Sequence, residues 1–165
     1  MSSSEAITRR GALAAIGLGL AGCGFKPLYA TGGGGDLVGE VVLQEASDPE
    51  TYAFRERMRR RLGDGGASAT YGLSYEVTLE EQPVAINPAA DVTRYRVKAR
   101  AEWRLVRLED GFVLSEGDVR TIGAYDATAG VFATRAAQRE ERAEVATELA
   151  ELVSARILAA EPAGS

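Results

Sequence analysis

Two segments in the middle of the chain alternate strictly between apolar and polar residues. In residues 71–80 the apolar side chains fall on odd numbers, and in residues 93–105 they do so again. A period of two is typical of β-strands with one buried face, because successive side chains point to opposite faces. The pattern predicts two strands with a buried odd-numbered face and a polar even-numbered face. The apolar set comprises Tyr71, Leu73, Tyr75, Val77, Leu79, Tyr95, Val97, Ala99, Ala101, Trp103 and Leu105.

Two other segments have the spacing of amphipathic helices. Residues 47–50, Ser-Asp-Pro-Glu, are typical of a helix start, and a stripe at Phe54, Met58 and Leu62 follows before the glycines of residues 63–66. A longer helix is predicted for residues 131–160. Its buried side is expected to contain Val145, Leu149, Leu152, Ile157 and Ala160. Its solvated side is expected to contain Arg139, Glu140, Glu141, Arg142, Glu144 and Glu148.

The remaining elements complete a single domain over residues 37–161. A first strand is predicted for Leu37–Glu45, a loop for Gln82–Asp91, a turn at Glu109–Gly111 and a fourth strand for Phe112–Tyr125, with a bulge at Gly117. The order β-α-β-β-β-α predicts an α+β two-layer sandwich. Two helices should cover one face of a four-stranded, mostly antiparallel sheet, which leaves the even-numbered face uncovered. Residues 162–165 are expected to form a tail.

The charge pattern suggests a register for the central strands. One antiparallel pairing sets Glu80 opposite Arg94 and Glu76 opposite Lys98. Between the third and fourth strands, burial of Trp103 favours a position opposite Val119. Arg104 would then meet Asp118, and Arg100 would be left opposite Ile122 without an acidic partner on that strand. Arg100 is therefore the first cation to test for ligand binding.

The amino-acid composition excludes several classes of catalytic and metal-binding site. The 165 residues contain no histidine and one cysteine, which excludes Cys/His metal sites and nucleophilic catalysis that depends on histidine. The net charge of −5 gives no overall attraction to nucleic acid. A hydrolase with paired carboxylates would need two acids in one pocket, whereas the acids here lie mostly on helix surfaces and in turns. We expect a non-enzymatic protein without cofactor, metal or nucleic-acid partner.

The first 36 residues have the organisation of an exported lipoprotein. Arg9 and Arg10 precede a short run of small and apolar residues, 12–21, which is too short to span a membrane and is typical of a signal peptide. Residues 20–23, Leu-Ala-Gly-Cys, resemble a lipobox. We expect cleavage after residue 22, lipidation of Cys23 and a glycine-rich tether over residues 23–36. The absence of aspartate after Cys23 points to the outer membrane.

The N-terminal string of the mature chain has a family resemblance. Residues 23–29, Cys-Gly-Phe-Lys-Pro-Leu-Tyr, together with the β-α-β-β-β-α order and the long charged C-terminal helix, resemble the LptE family of lipopolysaccharide-assembly lipoproteins. The resemblance covers the mature chain. It implies an outer-membrane lipoprotein that plugs the lumen of the LptD β-barrel, assists its assembly and contacts lipopolysaccharide. Only Cys23 carries over by position.

Two sets of cations have alternative interpretations. Arg94, Arg96, Lys98 and Arg100 lie at alternate positions of one strand, where they could bind lipopolysaccharide phosphates, or instead pair with acids or a barrel wall. Five arginines at positions 55, 57, 59, 60 and 61 indicate either an anionic ligand or a solvated helix face. The alternative function is that of a lipid-anchored periplasmic scaffold of another envelope complex.

Overall fold

The computed structural model describes residues 37–89, 91–128 and 130–160. The predicted signal peptide, Cys23, the predicted tether and the predicted tail lie outside the described residues. The elements follow the predicted β-α-β-β-β-α order. They are β1 (Val41–Leu43), α1 (Pro49–Leu62), β2 (Tyr71–Ile86), β3 (Val92–Arg107), β4 (Val113–Asp126) and α2 (Val131–Ala159), with a short 3-10 turn at Gly66–Ser68.

The four strands form one sheet in the order β1-β2-β3-β4. β1 runs parallel to β2, and the other two pairings are antiparallel, so the predicted α+β fold is confirmed. Val41 lies opposite Tyr71, and Tyr71 lies opposite Arg107. The start of β1, the start of β2 and the end of β3 therefore lie at one end of the sheet, called here the proximal end.

The core lies between the odd-numbered face of the sheet and the two helices. Side chains predicted to be buried, such as Leu73, Val97 and Trp103, are buried there against Phe54 of α1 and Leu149 of α2. Burying each large apolar side chain contributes roughly 1.5–3 kcal/mol. The alternation along β2 and β3 thus identified the buried face correctly.

The start of α1 is a capping box. The Asp48 carboxylate accepts a 2.8 Å hydrogen bond from the Thr51 N–H, and the Thr51 hydroxyl oxygen accepts one from the Asp48 N–H. Hydrogen-bond donors that the helix itself leaves unpaired are satisfied in this way. The helix ends at Leu62, where Gly63 has a φ of 78°. The predicted bounds of this helix are confirmed.

The bounds of two predicted strands, β1 and β2, differ from the structure. β1 covers only Val41–Leu43, because Gly39 turns the chain before it and the Gln44 side chain bonds the Tyr75 N–H after it. The predicted loop from Gln82 is wrong, since β2 continues past Pro83 with a local bulge. Beyond β1, β2 is an edge strand, and edge strands accommodate proline and bulges.

The long helix buries a slightly different stripe from the predicted one. Val145, Leu149 and Ile157 are buried as expected, but Leu152 is 39% exposed and Val153 is buried instead. The buried residues are thus spaced four apart along the helix, and Leu152, which lies off this spacing, points toward solvent. Its flank is filled by small residues, Ala146, Ala150 and Ser154.

Candidate functional site

The even-numbered side chains of β2, β3 and β4 form a polar surface, called here the open face. Ser74, Glu76, Arg96, Arg100 and Arg104 are all exposed on it. Both helices pack against the other side of the sheet, so no described element covers the open face. The prediction of an uncovered polar face is confirmed for the described residues.

The pairing of β2 with β3 differs from the register that the charges suggested. Lys98 lies opposite Glu80, and Glu102 lies opposite Glu76. The prediction was displaced by four residues because it placed the hairpin loop too early. β2 runs to Ile86, so the hairpin closes farther along the chain. Both registers keep even numbers opposite even numbers, and the assignment of faces is therefore unaffected.

The pairing of β3 with β4 corrects a second prediction. Trp103 lies opposite Gly117 rather than Val119, and Arg104 pairs with Glu116 at 2.9 Å rather than with Asp118. The irregularity in the ladder is next to Leu105, not at Gly117. The indole packs over Gly117, and its Cζ2 atom lies 3.4 Å from the place of a Gly117 β-carbon.

These registers decide which cations of the predicted ladder already have acidic partners. Arg94 pairs with Asp126 at 3.1 Å. Arg100 contacts Glu102 at 2.6 Å and Asp118 at 3.3 Å. The ranking that placed Arg100 first for ligand binding is therefore wrong, because its charge is already compensated.

The other two members of the ladder make no ion pair with any described residue. Arg96 lies between Gln82 and Ala124, and Lys98 lies between Glu80 and Ile122. We refer to Arg96 and Lys98 as the unpaired cations. They occupy the half of the open face distant from the proximal end.

A depression of about 330 Å³ is lined by Lys98, one of the two unpaired cations. Arg100, Arg120 and Glu80 also line it, together with Ile122, whose side chain is 65% exposed. Cations beside an exposed aliphatic group match a ligand that carries both phosphate and hydrocarbon. Guanidinium groups suit phosphate because their forked N–H groups can bind two oxygens at once.

A second depression, of about 540 Å³, lies nearer the proximal end. Its lining includes Arg100 and Arg104 together with Glu102, Glu116 and Asp118. The positive groups here pair with carboxylates in the ion pairs described above. This part of the open face is electrostatically balanced and favours structural pairing across the strands.

The arginines of α1 are largely engaged within the molecule. Arg55 pairs with Glu45 at 3.0 Å, and Arg59 pairs with Glu56 at 2.9 Å. Arg57 and Arg61 both contact Glu151 of α2. Of the two interpretations, this arrangement supports structural charges on a partly solvated helix face rather than a site for an anionic ligand.

Sequence analysis missed a polar cluster at the helix–sheet boundary. Arg142, predicted to be solvated, donates to Glu81 of β2 at 2.7 Å and to Glu50 of α1 at 2.5 Å. The Glu81 carboxylate also accepts bonds from the Tyr125 hydroxyl and the Gln138 amide, each at 2.8 Å. The cluster joins elements up to 92 positions apart, so no local signal could predict it.

The charge state of Glu81 reflects this environment. Burial by itself raises the pKa of the Glu81 carboxyl, but hydrogen bonds from Arg142, Tyr125 and Gln138 together hold it below its ordinary value. The opposite holds for Glu141, whose pKa is raised chiefly by burial, although the backbone of Ala124 bonds its carboxylate. Both groups are structural and lie away from the open face.

No cluster of acidic, cysteine or histidine side chains suited to a metal ion occurs within residues 37–89, 91–128 and 130–160. No helix in that part of the chain is long and apolar enough to cross a membrane.

Comparison with known proteins identifies the family. The family model described as "LptE: Lipopolysaccharide-assembly" matches residues 42–159, which is most of the chain. This range contains both described α-helices and all residues of the described strands except Val41. The chain belongs to the LptE family. This family is a non-enzymatic family of lipopolysaccharide-assembly lipoproteins that is associated with the outer membrane. No curated protein matches the sequence.

Solved structures share the LptE-like fold. A protein of Caulobacter crescentus assigned as a lipoprotein matches with a TM-score of 0.62 and 20% identity, over 76% of this chain and 92% of that one. A minor lipoprotein of Acinetobacter baumannii matches with a TM-score of 0.55 and 15% identity, over 74% and 93%. At these identities the likeness shows the fold alone.

Proposed function

We propose that this LptE-family protein is anchored in the outer membrane by lipid on Cys23 and occupies the lumen of an LptD-like β-barrel. There it assists assembly of the barrel and contributes to the transport and insertion of lipopolysaccharide. The observation that supports the proposal is the open face, a long polar sheet surface that no described element covers. This surface belongs to a protein of a lipopolysaccharide-assembly family.

The two halves of the open face have different roles in this proposal. The balanced half, around Arg104 and Glu116, lies against the polar inner wall of the barrel, where matched charges limit the cost of desolvation. The half with the unpaired cations meets lipopolysaccharide, and Arg96 and Lys98 bind its phosphates. Arg94 and Arg100, also predicted from the sequence, contribute less because their charges are already paired.

The partner and the anchor are tested on the full-length chain. Extraction in mild detergent is expected to recover a large outer-membrane β-barrel with the protein, whereas recovery of a different envelope complex would favour the scaffold alternative. Intact-mass measurement should find a chain that begins at Cys23 and carries acyl groups. Cys23→Ala should leave an unprocessed or soluble product, and an unmodified wild-type mass would contradict the anchor.

Lipopolysaccharide binding is tested with two double variants of β3. Arg96→Gln with Lys98→Gln removes the unpaired cations, while Arg94→Gln with Arg104→Gln removes the same charge from the same face at paired positions. Each charge-assisted hydrogen bond contributes about 1.5–3 kcal/mol, so the first variant should bind at least ~10-fold more weakly. The second should stay within about threefold of wild type. Equal losses would show that only net charge matters.

A further inference from the structure

Strand β1 covers only the first part of β2 and leaves the rest of the outer edge of β2 without a neighbouring strand. The three residues of β1 pair with residues 71–73, whereas β2 continues to Ile86. Gln44 extends this coverage by one position, because its side-chain oxygen accepts a hydrogen bond from the Tyr75 N–H at 3.3 Å. We call residues 76–82 of β2 the bare edge. At ~3.3 Å per residue, the bare edge is roughly 23 Å long.

The backbone groups of alternate residues on the bare edge point away from β3. The Leu108 N–H donates to the Thr70 carbonyl at 3.0 Å, in line with the β2–β3 register, so the even-numbered residues of β2 bond β3. The N–H and C=O groups of Val77, Leu79 and Glu81 therefore point outward, and no other described residue forms a hydrogen bond with them. A row of unpaired main-chain groups is a template for an additional strand.

The opposite edge of the sheet, at β4, is protected by side chains of α2. By the same alternation, the even-numbered residues of β4 direct their N–H and C=O groups outward. The Arg156 guanidinium donates to the outward carbonyl of Asp118 at 3.1 Å, and the outward N–H of Ala124 bonds the Glu141 carboxylate. Side chains in these positions hinder strand addition at β4. The bare edge has no such caps from the residues that the structure describes.

The side chains along the bare edge are acidic on one face of the sheet and apolar on the other. Glu76 and Glu80 are exposed on the open face and form no ion pair with any described residue. Val77 and Leu79 lie on the opposite face, where they are only half-buried against the core. Side chains on adjacent strands meet on the same face, so a matching strand would carry cations at alternate positions and aliphatic side chains between them.

The same features disfavour other occupants of the bare edge. A second copy that paired through its own bare edge would bring Glu76 and Glu80 beside the same acids, and like charges on neighbouring strands are destabilising. Anionic lipid headgroups would be repelled by these acids, and hydrocarbon cannot satisfy the unpaired backbone groups. Residues 23–36 of this chain contain a single cation, Lys26, and so do not supply the alternation. These observations favour a segment of another protein.

We propose that the bare edge binds an extended segment of a partner protein in which basic and aliphatic residues alternate. The segment adds a strand beside β2, with its cations next to Glu76 and Glu80 and its aliphatic side chains next to Val77 and Leu79. Main-chain hydrogen bonds provide the affinity in this mode of binding, and alternate side chains provide the specificity. Because the wall strands of a barrel are paired on both sides, a barrel partner would offer one of its loops here. The inference depends neither on lipidation of Cys23 nor on binding of lipopolysaccharide.

Peptide binding to the full-length protein in mild detergent tests this inference. The probe is a fluorescein-labelled peptide that alternates lysine and valine, and fluorescence anisotropy measures its affinity. Two further versions carry N-methyl groups on either the valine amides or the lysine amides, so that only one version blocks the N–H groups that face β2. That version should bind at least ~10-fold more weakly than the other. Equal affinities of the two versions, or no binding of the unmethylated peptide, would overturn the inference.

A backbone variant tests the same contact from the side of the protein. Leu79→Pro removes an outward N–H but no bond to β3, and the native Pro83 shows that β2 accommodates proline at such a position. Leu79→Ala is the matched control, because it loses the leucine side chain and keeps the N–H. The proline variant should bind the peptide at least ~5-fold more weakly than the alanine variant. Equal binding by the two folded variants would contradict strand addition, and the N-methylated peptides test it without any change to the protein.

The role of the acids is tested with two double variants of equal charge. Glu76→Gln with Glu80→Gln removes the acids beside the bare edge and should weaken peptide binding about threefold or more. Glu140→Gln with Glu144→Gln removes the same charge from exposed positions on α2 and should change the affinity by less than about twofold. Equal losses in the two variants would show that the peptide responds only to net charge, which would contradict a specific contact at the bare edge.

Discussion

The indole of Trp103 lies against Gly117 of the neighbouring strand, with its Cζ2 atom 3.4 Å from the place that a β-carbon on Gly117 would occupy. A larger side chain at position 117 would displace the ring, and overpacking typically costs about 1–3 kcal/mol. We expect Gly117→Val to lower the free energy of unfolding by that amount. Because Trp103 is the sole tryptophan, its emission should shift to the red at the same time.

Gly117→Ala is the matched control for this packing. Its single methyl group would make an ordinary contact with the indole, and Gly117 does not have a positive φ. The loss of glycine's freedom in the unfolded chain should offset any crowding, so stability should stay within about 1 kcal/mol of wild type. Equal destabilisation by alanine and valine would contradict the proposed role of the space above Gly117.

The bond between Arg142 and Glu81 makes stability dependent on pH. Because the pKa of Glu81 is held below its ordinary 4.5, the ionised carboxylate contributes stability above that pH. The contribution is lost as the pH falls through the lowered value. Glu81→Gln should therefore reduce the free energy of unfolding by about 1–3 kcal/mol at pH 7. In urea titrations, the difference from wild type should begin to shrink as the pH falls below 4.5.

Glu80→Gln is the control for the Glu81 variant. Glu80 is exposed on the open face and pairs with no described cation, so its loss should change stability by less than about 0.5 kcal/mol. The interpretation fails if the two variants behave alike at pH 7, or if the Glu81→Gln difference does not narrow as the pH falls below 4.5.

A close approach of α2 to β4 depends on Gly123. A β-carbon there would lie 2.7 Å from a Val145 methyl carbon and would overlap the Glu141 carboxylate. Gly123→Ala should force the helix or the strand to shift and should lower the free energy of unfolding by about 1–3 kcal/mol in thermal or urea melts. Gly130→Ala is the control, since its β-carbon would come no closer than 3.8 Å to Ala133. A similar loss at both positions would contradict this account.

The capping box of α1 is tested at Asp48. Asp48→Ala removes the acceptor for the Thr51 N–H and should cost about 1 kcal/mol of stability, measured by urea unfolding. Ser47→Ala removes a hydroxyl that bonds only the exposed Asp48 carboxylate and should be nearly neutral. A smaller loss at Asp48 than at Ser47 would show that the cap does not hold the helix start.

Local sequence patterns determined which segments form helices and strands and which face of each central strand is buried. The alternation of β2 and β3 assigned odd-numbered residues to the core, and residues 47–50 located the start of α1. These signals are local, because the direction of each side chain follows from the backbone of its own element. The order of elements then sufficed for the α+β fold. The N-terminal string Cys23–Tyr29, with that order, pointed to the LptE family.

Only the tertiary structure decided the registers, and with them the candidate site. A slip of one residue would exchange the two faces, but slips of two or four leave every side chain on its own face. The hydrophobic pattern therefore could not distinguish Gly117 from Val119 as the partner of Trp103. The two registers differ in whether a glycine or a valine faces the indole, which the alternation does not fix, and the length of β2 depends on where its hairpin closes. Long-range packing thus determined that Arg100 is paired, whereas Arg96 and Lys98 form no ion pair with the residues that the structure describes.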